Sequence, residues 1–330
     1  MKIAYLLADT ELSGGIRVAV AHADALIDRG HELTLITRGT PLTWRRSRAQ
    51  WRYVRSFEEV DGLEFDFVVG TFWTTVAAAH AIAGPRAVHF CQGYEGSFEA
   101  YQSVKSEIDA VYRLPIPKIC VSPYLVEVVR PLYDDATYVG QVVDDEFFAA
   151  GRLKPAATPR VLLVGPAQAD FVKGIDVGYA AVRHARERGA ELDLVRASQW
   201  PAADGEPVEL AGEFHVAIPT LEMARLFASC DVYLGPNRRK EGFGLPAAEA
   251  LAGGVPAILT RIPSYLWWDD AQDYALFVEE EDAVAMGDAL VQLLGDAALR
   301  ERLSRRGREV AEQFRSARLG ERLERFFQSR

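Results

Sequence analysis

Residues 231–260 constrain the fold of this chain more than any other stretch, because two apolar runs in it are separated by a glycine-rich loop and a helix-forming segment. The runs Val232-Tyr233-Leu234 and Val255 to Leu259 have the composition of strands buried on both faces of a parallel sheet. Pro246 suits the first helical position, and Gly253-Gly254 suits a C-terminal cap. The stretch therefore predicts a strand, a loop, a short helix and a second strand.

The junction between this loop and its helix has the chemistry of a ligand site. Gly242 and Gly244 lack side chains, so a ligand can approach the backbone there. The N–H groups of the first helical turn have no partners within the helix, and the helix dipole favours an anion beside them. Glu241 and Glu249 flank the junction, and a carboxylate can accept hydrogen bonds from two sugar hydroxyls. The alternative is that Glu249 only complements the helix dipole and Glu241 is a solvated loop charge.

The complete string resembles the hallmark of the family 4 retaining glycosyltransferases, which have the GT-B fold. Their motif EGFGLPxxEAxAxGxPV contains two glutamates separated by seven residues, and this chain has EGFGLPAAEALAGGVPA from residue 241 to 257. The resemblance implies that Glu249 contacts the ribose hydroxyls of a nucleotide sugar and that Glu241 contacts the transferred sugar. It also implies donor binding along the backbone, at Gly242, Phe243, Gly244 and Leu245.

Length and composition limit the remaining possibilities. The chain has 330 residues, enough for two domains, and its 49% hydrophobic and 25% charged residues are ordinary for a soluble globular protein. The net charge of −10 argues against general nucleic-acid binding. Its 3 cysteines are odd in number and are not spaced as metal ligands, which predicts a reducing cytoplasmic location.

The N-terminus predicts a βαβ unit with glycines after its first strand. Lys2 to Ala8 reads as a strand, Arg17 to Arg29 as a helix and Glu32 to Thr37 as a second strand. Gly14 and Gly15 fall at the carboxyl end of the first strand, where open α/β sheets bind ligands. A tight turn is the other interpretation of these two glycines. Family 4 members carry a comparable pair near the donor phosphate or the acceptor, so the resemblance favours a binding role.

Residues 38–55 interleave arginines with Trp44, Trp51 and Tyr53. Arginine with tryptophan can lie on an anionic lipid surface or stack on carbohydrate. The other interpretation is a solvated, arginine-rich helix with a few buried aromatic residues. Because the chain is acidic elsewhere, this segment is the best candidate for contact with an anionic acceptor or with the inner face of a membrane.

The strand at Ala87 to Phe90 leads into Gln92, where the resemblance places a loop that faces the transferred sugar. Family members often have a histidine at this place. Here Gln92 occupies it, and His89 lies three residues earlier. Both are candidate catalytic residues, although a lone histidine that alternates within a strand is more often part of the core.

The resemblance also implies the domain organisation. Residues 140–147 are similar to the family segment that joins the two domains, and residues 149–159 are rich in alanine and proline, as in a linker. We therefore expect two Rossmann-like, doubly wound α/β domains facing a cleft. The predicted ranges are an acceptor domain over 1–148, a linker over 149–159, a nucleotide-sugar domain over 160–314, and a helix over 315–330 that returns to the first domain.

Lys173-Gly174 matches the family's KG pair, whose lysine binds the donor diphosphate as a point charge. Most relatives also have an arginine directly after the glycine of the preceding strand, whereas this chain has Pro166 after Gly165. Four basic residues are hypothetical replacements for that arginine: Arg196, Arg238, Arg239 and Lys240.

By resemblance, the reaction transfers a sugar from a nucleotide-diphosphate donor to an acceptor hydroxyl with retained configuration. The acceptor is a sugar, a lipid-linked molecule or a small molecule. No cofactor and no metal ion is expected, because Lys173 and the helix N-terminus supply positive charge for the leaving diphosphate. Two alternatives stay open: a sugar-nucleotide epimerase of the same fold, and a non-catalytic subunit that binds sugar nucleotide or glycan.

Overall fold

The computed structural model describes residues 1–60, 62–151, 157–167 and 172–330. The chain forms two compact units. Unit 1 comprises Met1–Val142 together with Ser316–Arg330, and unit 2 comprises Val143–Arg315.

Each unit is built on one sheet whose paired strands all run parallel. The strands of unit 1 are β1 (Lys2–Leu7), β2 (Glu32–Thr37), β3 (Gln50–Tyr53), β4 (Phe67–Gly70), β5 (Ala87–Cys91), β6 (Lys118–Cys120) and β7 (Ala136–Tyr138). The strands of unit 2 are β8 (Arg160–Val164), β9 (Asp193–Ser198), β10 (Ala211–Val216), β11 (Val232–Gly235), β12 (Ala257–Thr260) and β13 (Leu276–Val278). The spatial orders are β3-β2-β1-β4-β5-β6-β7 and β10-β9-β8-β11-β12-β13.

Helices form most of the connections between consecutive parallel strands in both units. In the described part of the chain they are α1 (Gly14–Ile27), α2 (Trp73–Ala83), α3 (Lys105–Tyr112), α4 (Pro123–Val129), α5 (Asp145–Ala149), α6 (Ile175–Glu187), α7 (Thr220–Ala228), α8 (Leu245–Ala252), α9 (Pro263–Leu266), α10 (Ala283–Gly295), α11 (Ala297–Ala311) and α12 (Ser316–Gln328). None of these helices is both long enough and apolar enough to span a membrane.

The strand order locates the place in each unit where a ligand is expected. In both sheets the order reverses beside the first strand, between β1 and β4 in unit 1 and between β8 and β11 in unit 2. Open α/β sheets bind ligands outside the carboxyl ends of the strands at such a switch point. The loops that follow β8 and β11 carry Lys173 and Glu241. The doubly wound α/β fold predicted from the sequence is confirmed, with this switch point next to the predicted site.

The return of the C-terminal helix to unit 1 is also confirmed. Helix α12 buries Leu319, Leu323 and Phe327 along one face. The ring of Phe327 lies 5.0 Å from that of Phe67 at the start of β4. Glu324, on the same helix, forms an ion pair with Arg29 after α1. Apolar burial on one face and a polar pair at its edge therefore hold α12 in this unit.

The boundary between the units differs from the predicted one. It lies at Val142/Val143, so that residues 143–148 belong to unit 2 and not to the first domain. The physical reason is Phe147, which is buried and packs against Phe227 at a centroid distance of 5.5 Å. The predicted linker 149–159 lies within the range of unit 2, and its residues 152–156 lie outside the described residues.

Residues 38–55 do not form the helix that one interpretation of the sequence required. They form a loop followed by β3, which pairs with β2 at the edge of the sheet. Trp51 and Tyr53 are two residues apart on β3 and therefore point to the same face, where their rings stack 6.0 Å apart. Arg48 forms an ion pair with Asp28 after α1, so part of the positive charge of the segment is neutralised within unit 1.

Candidate functional site

The candidate site in unit 2 is built around the start of helix α8. Gly244 occupies the N-cap position with φ 87° and ψ 51°, and the helix begins at Leu245, with Pro246 in its first turn. The helix thus begins one residue earlier than the sequence predicted. Glycine is required at 244 for two reasons: the left-handed backbone, and the absence of space for a side chain. A Cβ atom there would lie 2.2 Å from Cε1 of Tyr265.

Gly244→Ala is therefore expected to destabilise the protein more than a glycine-to-alanine change at a matched open position. Gly189 has the same φ of 87°, but nothing lies within 4 Å of a Cβ atom there. Both variants share the left-handed strain, of about 1–2 kcal/mol. Only Gly244→Ala adds the clash with Tyr265, worth about 1–3 kcal/mol more. Urea unfolding of the two variants tests this, and equal losses would contradict the described packing.

The loops after β8 and β11 touch each other through another glycine. Gly174 precedes α6 with φ 59°, and a Cβ atom on it would lie 2.0 Å from the carbonyl oxygen of Pro236. The backbone N–H of Arg238 donates to the carbonyl of Val172 at 2.7 Å. This close approach brings Lys173 and Glu241 together, although they are 68 residues apart in the sequence.

The carboxylate of Glu241 is the centre of the polar network. Its Oε2 accepts hydrogen bonds from Nζ of Lys173 and from Nδ2 of Asn237, both at 2.6 Å. Its Oε1 accepts the backbone N–H of Gly244 at 3.1 Å. A cation, an amide and the N-terminus of a helix therefore converge on one anionic group.

This network keeps Glu241 ionised. Burial of the carboxyl group would by itself raise its pKa, but the Lys173 charge and the hydrogen bonds from Lys173, Asn237 and Phe243 lower the pKa below its usual value. Because the folded-state pKa is lower than the unfolded one, this contribution to stability is present above the unfolded value of about 4.3 and is lost as the pH falls through the folded pKa. Glu241 is thus a buried anion at neutral pH.

Two side chains that the sequence interpretation did not identify fix the Glu241 loop. Ser264, in α9, donates from Oγ to the backbone carbonyl of Glu241, and Thr260 donates from Oγ1 to the carbonyl of Asn237. Asn237, which holds the carboxylate directly, was also missed. A polar residue just beyond the carboxyl end of a buried strand is the signal that could have identified it.

Glu249 lies on α8 with only 2% of its surface exposed. The pKa of the Tyr233 phenol is well above its usual range because of burial and because of the charges of Glu241 and Glu249. The charges of both carboxylates therefore act on Tyr233, the second residue of β11. The alternative that Glu241 is a solvated loop charge is wrong, since its side chain is only 9% exposed. Contact of Glu249 with a ribose stays a prediction.

Phe243 contributes to the site through its backbone and not through its ring. The ring packs into an aromatic cluster, with centroids 5.4 Å from Trp268 and 5.1 Å from Phe314. The side chain anchors the glycine-rich loop in the core of unit 2. Gly242 and Gly244 on either side of it are buried as well.

The predicted phosphate-binding role of Arg196 is not supported, because its guanidinium group is buried and fully used. Nε and Nη2 donate to Oε1 of Glu206 at 2.9 and 2.8 Å. Nη1 donates to the carbonyls of Leu163 and Ala197 at 2.9 Å, and Nη2 donates to that of Gly165 at 2.8 Å. A guanidinium has five N–H donors, and all five have protein acceptors. Arg196 thus supports the loop after β8 from within.

The two arginines after β11 differ in their surroundings. Arg238 forms ion pairs with Asp176, at the start of α6, and with Glu281, before α10. Arg239 is exposed, and its backbone N–H donates to Glu280 at 3.0 Å. Arg238 therefore fastens neighbouring loops to each other. Contact of either arginine with a phosphate stays a prediction.

In unit 1 the two N-terminal glycines belong to helix α1 and not to the preceding loop. The helix begins at Gly14, and Ser13 caps it by accepting the N–H of Ile16 at 3.2 Å. A Cβ atom on Gly15 would lie 3.4 Å from both side-chain polar atoms of Gln92, so the amide of Gln92 rests on the first turn of α1. The structure therefore brings Gly15 and Gln92 together, as expected if both border one ligand.

His89 lies in the core, and its surroundings do not support the catalytic role suggested for it. Its side chain is completely buried in β5, and neither ring nitrogen has a hydrogen-bond partner in the described residues. The ring packs edge-on against Tyr112 at 4.4 Å. Burial, with the nearby charge of Lys118, holds the pKa of His89 well below its usual value. A neutral imidazole in the core is unable to reach a substrate proton.

Two doubly wound α/β units, each with one parallel sheet and a switch point beside its first strand, are the architecture of the GT-B fold. Residues 158–296 match the family model described as Glycosyl transferases group 1. The resemblance seen in the sequence is confirmed: this stretch belongs to the group 1 glycosyltransferases, and the chain has their GT-B fold.

Individual proteins agree with this assignment. D-inositol 3-phosphate glycosyltransferase of Xylanimonas cellulosilytica is 32% identical over 170 residues, which cover 48% of this chain and 40% of the relative. The match thus spans less than half of that curated relative. Sucrose-phosphate synthase of Thermosynechococcus elongatus has a TM-score of 0.78 at 16% identity, covering 99% of this chain and 98% of the other. An Anabaena protein solved with UDP-glucose has a TM-score of 0.77 at 12% identity over 100% of both chains.

Proposed function

We propose that this protein is a retaining glycosyltransferase that transfers a sugar from a nucleoside diphosphate to an acceptor hydroxyl. The observation that carries the proposal is the arrangement of Lys173 and Glu241 at the N-terminus of α8. A flexible cation, a buried carboxylate and the backbone N–H groups at the start of α8 lie together at the switch point of unit 2. A diphosphate needs the cation and the N–H groups, and sugar hydroxyls need the carboxylate.

The proposed donor is a uridine diphosphate sugar, because a protein of the same fold was solved with UDP-glucose. Glu249 would take the ribose hydroxyls, Glu241 the hydroxyls of the transferred sugar, and unit 1 the acceptor. The name of the Xylanimonas relative gives D-inositol 3-phosphate as its acceptor. A polyol phosphate is therefore the first acceptor to test.

In the proposed reaction the bond between the anomeric carbon and the diphosphate oxygen breaks, and its electrons go to that oxygen. The acceptor oxygen forms the new bond on the same face of the sugar, and its proton passes to the departing phosphate oxygen. Charge therefore grows on the diphosphate in the transition state. Lys173 and the N–H groups of α8 would stabilise it there, which is where electrostatic catalysis is most effective. We propose that these groups make a metal ion unnecessary.

Nucleotide release from a panel of UDP-, GDP- and ADP-sugars tests the proposal, with and without D-inositol 3-phosphate and with and without EDTA. We expect acceptor-dependent release that EDTA leaves unchanged, together with a glycoside of the donor's anomeric configuration. Isomerised sugar nucleotide formed without acceptor would indicate an epimerase instead. Binding without any turnover would indicate a non-catalytic subunit.

We also propose that residues 38–55 contact an anionic acceptor or an anionic membrane surface. Arg45 and Arg48 are engaged by Asp24 and Asp28, which leaves the exposed Arg46 and other exposed arginines of the segment to make the contact. Co-sedimentation with phosphatidylglycerol vesicles at low salt should then exceed that with phosphatidylcholine vesicles. Equal sedimentation with both would remove the membrane part of the proposal.

A further inference from the structure

The Glu241 carboxylate occupies the anion-binding position at the start of α8. It accepts hydrogen bonds from the backbone N–H of Gly244 and from the ammonium group of Lys173. These are the donors that a diphosphate would use at a helix N-terminus. The Glu241 carboxylate therefore occupies the position in which the diphosphate of the proposed substrate would bind.

Oxygen Oε2 of the same carboxylate has no acceptor capacity left for a sugar. A carboxylate offers roughly four lone-pair directions, about two on each oxygen. Lys173 and Asn237 both donate to Oε2, and Gly244 donates to Oε1. A sugar hydroxyl can therefore bind Oε2 only if Lys173 or Asn237 leaves.

Lys173 is the donor able to leave. Asn237 is 3% exposed, with its backbone held by Thr260. The ammonium of Lys173 stands at the end of a flexible chain that is 20% exposed. Its stem runs over Gly165, where a Cβ atom would lie 2.8 Å from Cγ of Lys173, so glycine at 165 leaves room for that stem.

We propose that Lys173 exchanges partners when donor binds, moving from Glu241 to the diphosphate and so releasing Oε2 of Glu241 for a hydroxyl of the transferred sugar. The proposal rests on the proposed function for the identity of the donor. In the absence of donor, Glu241 acts as an internal competitor for the diphosphate. The sugar contact becomes available only after the diphosphate has taken Lys173, so recognition of the two parts of the donor is coupled.

The proposed coupling predicts that one substitution at Glu241 strengthens binding of the diphosphate and weakens recognition of the sugar. Glu241→Gln removes the competing charge, so UDP and inorganic pyrophosphate should bind more tightly than to the wild type, by about 5–50-fold, a usual range for coupled sites. The gain of affinity from UDP to UDP-glucose should shrink in this variant, because the hydroxyl acceptor is weakened. Lys173→Ala should bind both UDP and pyrophosphate more weakly.

Isothermal titration of wild type, Glu241→Gln and Lys173→Ala with UDP, UDP-glucose and pyrophosphate measures these effects. Glu191→Gln is the matched control for loss of one negative charge, since Glu191 is exposed and precedes β9, whereas Lys173 and Glu241 follow the carboxyl ends of β8 and β11. The proposal would be overturned if Glu241→Gln bound UDP and pyrophosphate no more tightly than the wild type does. The pyrophosphate arm needs no nucleotide sugar, so it separates failure of the exchange from failure of the proposed function.

A second measurement on the wild type avoids any dependence on the folding of a variant. Pyrophosphate titrated into protein labelled with ¹³C at lysine Cε should shift the Lys173 resonance, identified by its loss in Lys173→Ala. We expect this shift to saturate at the ratio of pyrophosphate to protein that isothermal titration gives. An unchanged Lys173 resonance at saturating pyrophosphate would show that the ion pair with Glu241 persists, and would overturn the exchange.

Discussion

Replacing Lys173 with alanine is expected to lower kcat for sugar transfer by about 10²–10³-fold, the usual cost of losing one donor aimed at developing negative charge. Among the described residues that donate to the Glu241 carboxylate, Lys173 is the charged one, whereas Asn237 and Gly244 are neutral donors. Its proposed partner in the transition state is the departing diphosphate. The remaining N–H groups of α8 would sustain the residual rate.

The matched control for this prediction is Lys2→Ala. Lys2 is an exposed lysine at the amino end of β1, in unit 1. The Lys2→Ala variant should keep the kcat of the wild type. Steady-state kinetics with UDP-glucose should show the loss of kcat in Lys173→Ala. A Lys173→Ala enzyme with kcat within threefold of the wild type would contradict the proposed role of the ammonium.

Arg196→Met is expected to destabilise the protein by about 3–5 kcal/mol, because it leaves the carboxylate of Glu206 buried without its charge partner. Arg196 and Glu206 are 0% and 2% exposed, so solvent screens the pair very little. The carbonyls of Leu163, Ala197 and Gly165 would lose their donor as well. This network supports the loop after β8, so we expect the carboxyl end of that loop to unfold first.

Urea unfolding measures the Arg196 effect, with Arg188→Met as the exposed control. Arg188 pairs with Asp288 on the surface, and such pairs contribute about 0–1 kcal/mol. The double variant Arg196→Met/Glu206→Met should recover part of the loss, since it removes the unpaired charge. Arg196→Met as stable as the wild type but with much weaker nucleotide binding would instead indicate that Arg196 binds phosphate after all.

Local patterns predicted much of the fold and the core of the candidate site. Residues 231–260 form the predicted strand, loop, helix and strand, because their glycines, proline and apolar runs act over a few residues. Lys173 and Glu241 were assigned from a family motif. Their contact at 2.6 Å depends on the approach of two loops through Gly174, which no local pattern encodes.

The errors concern residues whose state is set by distant neighbours. Strand β3 lies in an arginine-rich segment and follows a proline-containing loop, and it forms because the edge of β2 is available to pair with it. The sequence suggested Arg196 as a phosphate-binding cation. A local sequence pattern does not show its partners, which are Glu206 and the carbonyls of a neighbouring strand. A charged residue inside the apolar run of β9 was a signal for a buried ion pair.

A crystal structure of the protein with a uridine diphosphate sugar tests the central claim most directly. The account predicts diphosphate oxygens within hydrogen-bond distance of Nζ of Lys173 and of the first N–H groups of α8, with a sugar hydroxyl on Oε2 of Glu241. A diphosphate bound away from α8, with the contact between Lys173 and Glu241 unchanged, would contradict it.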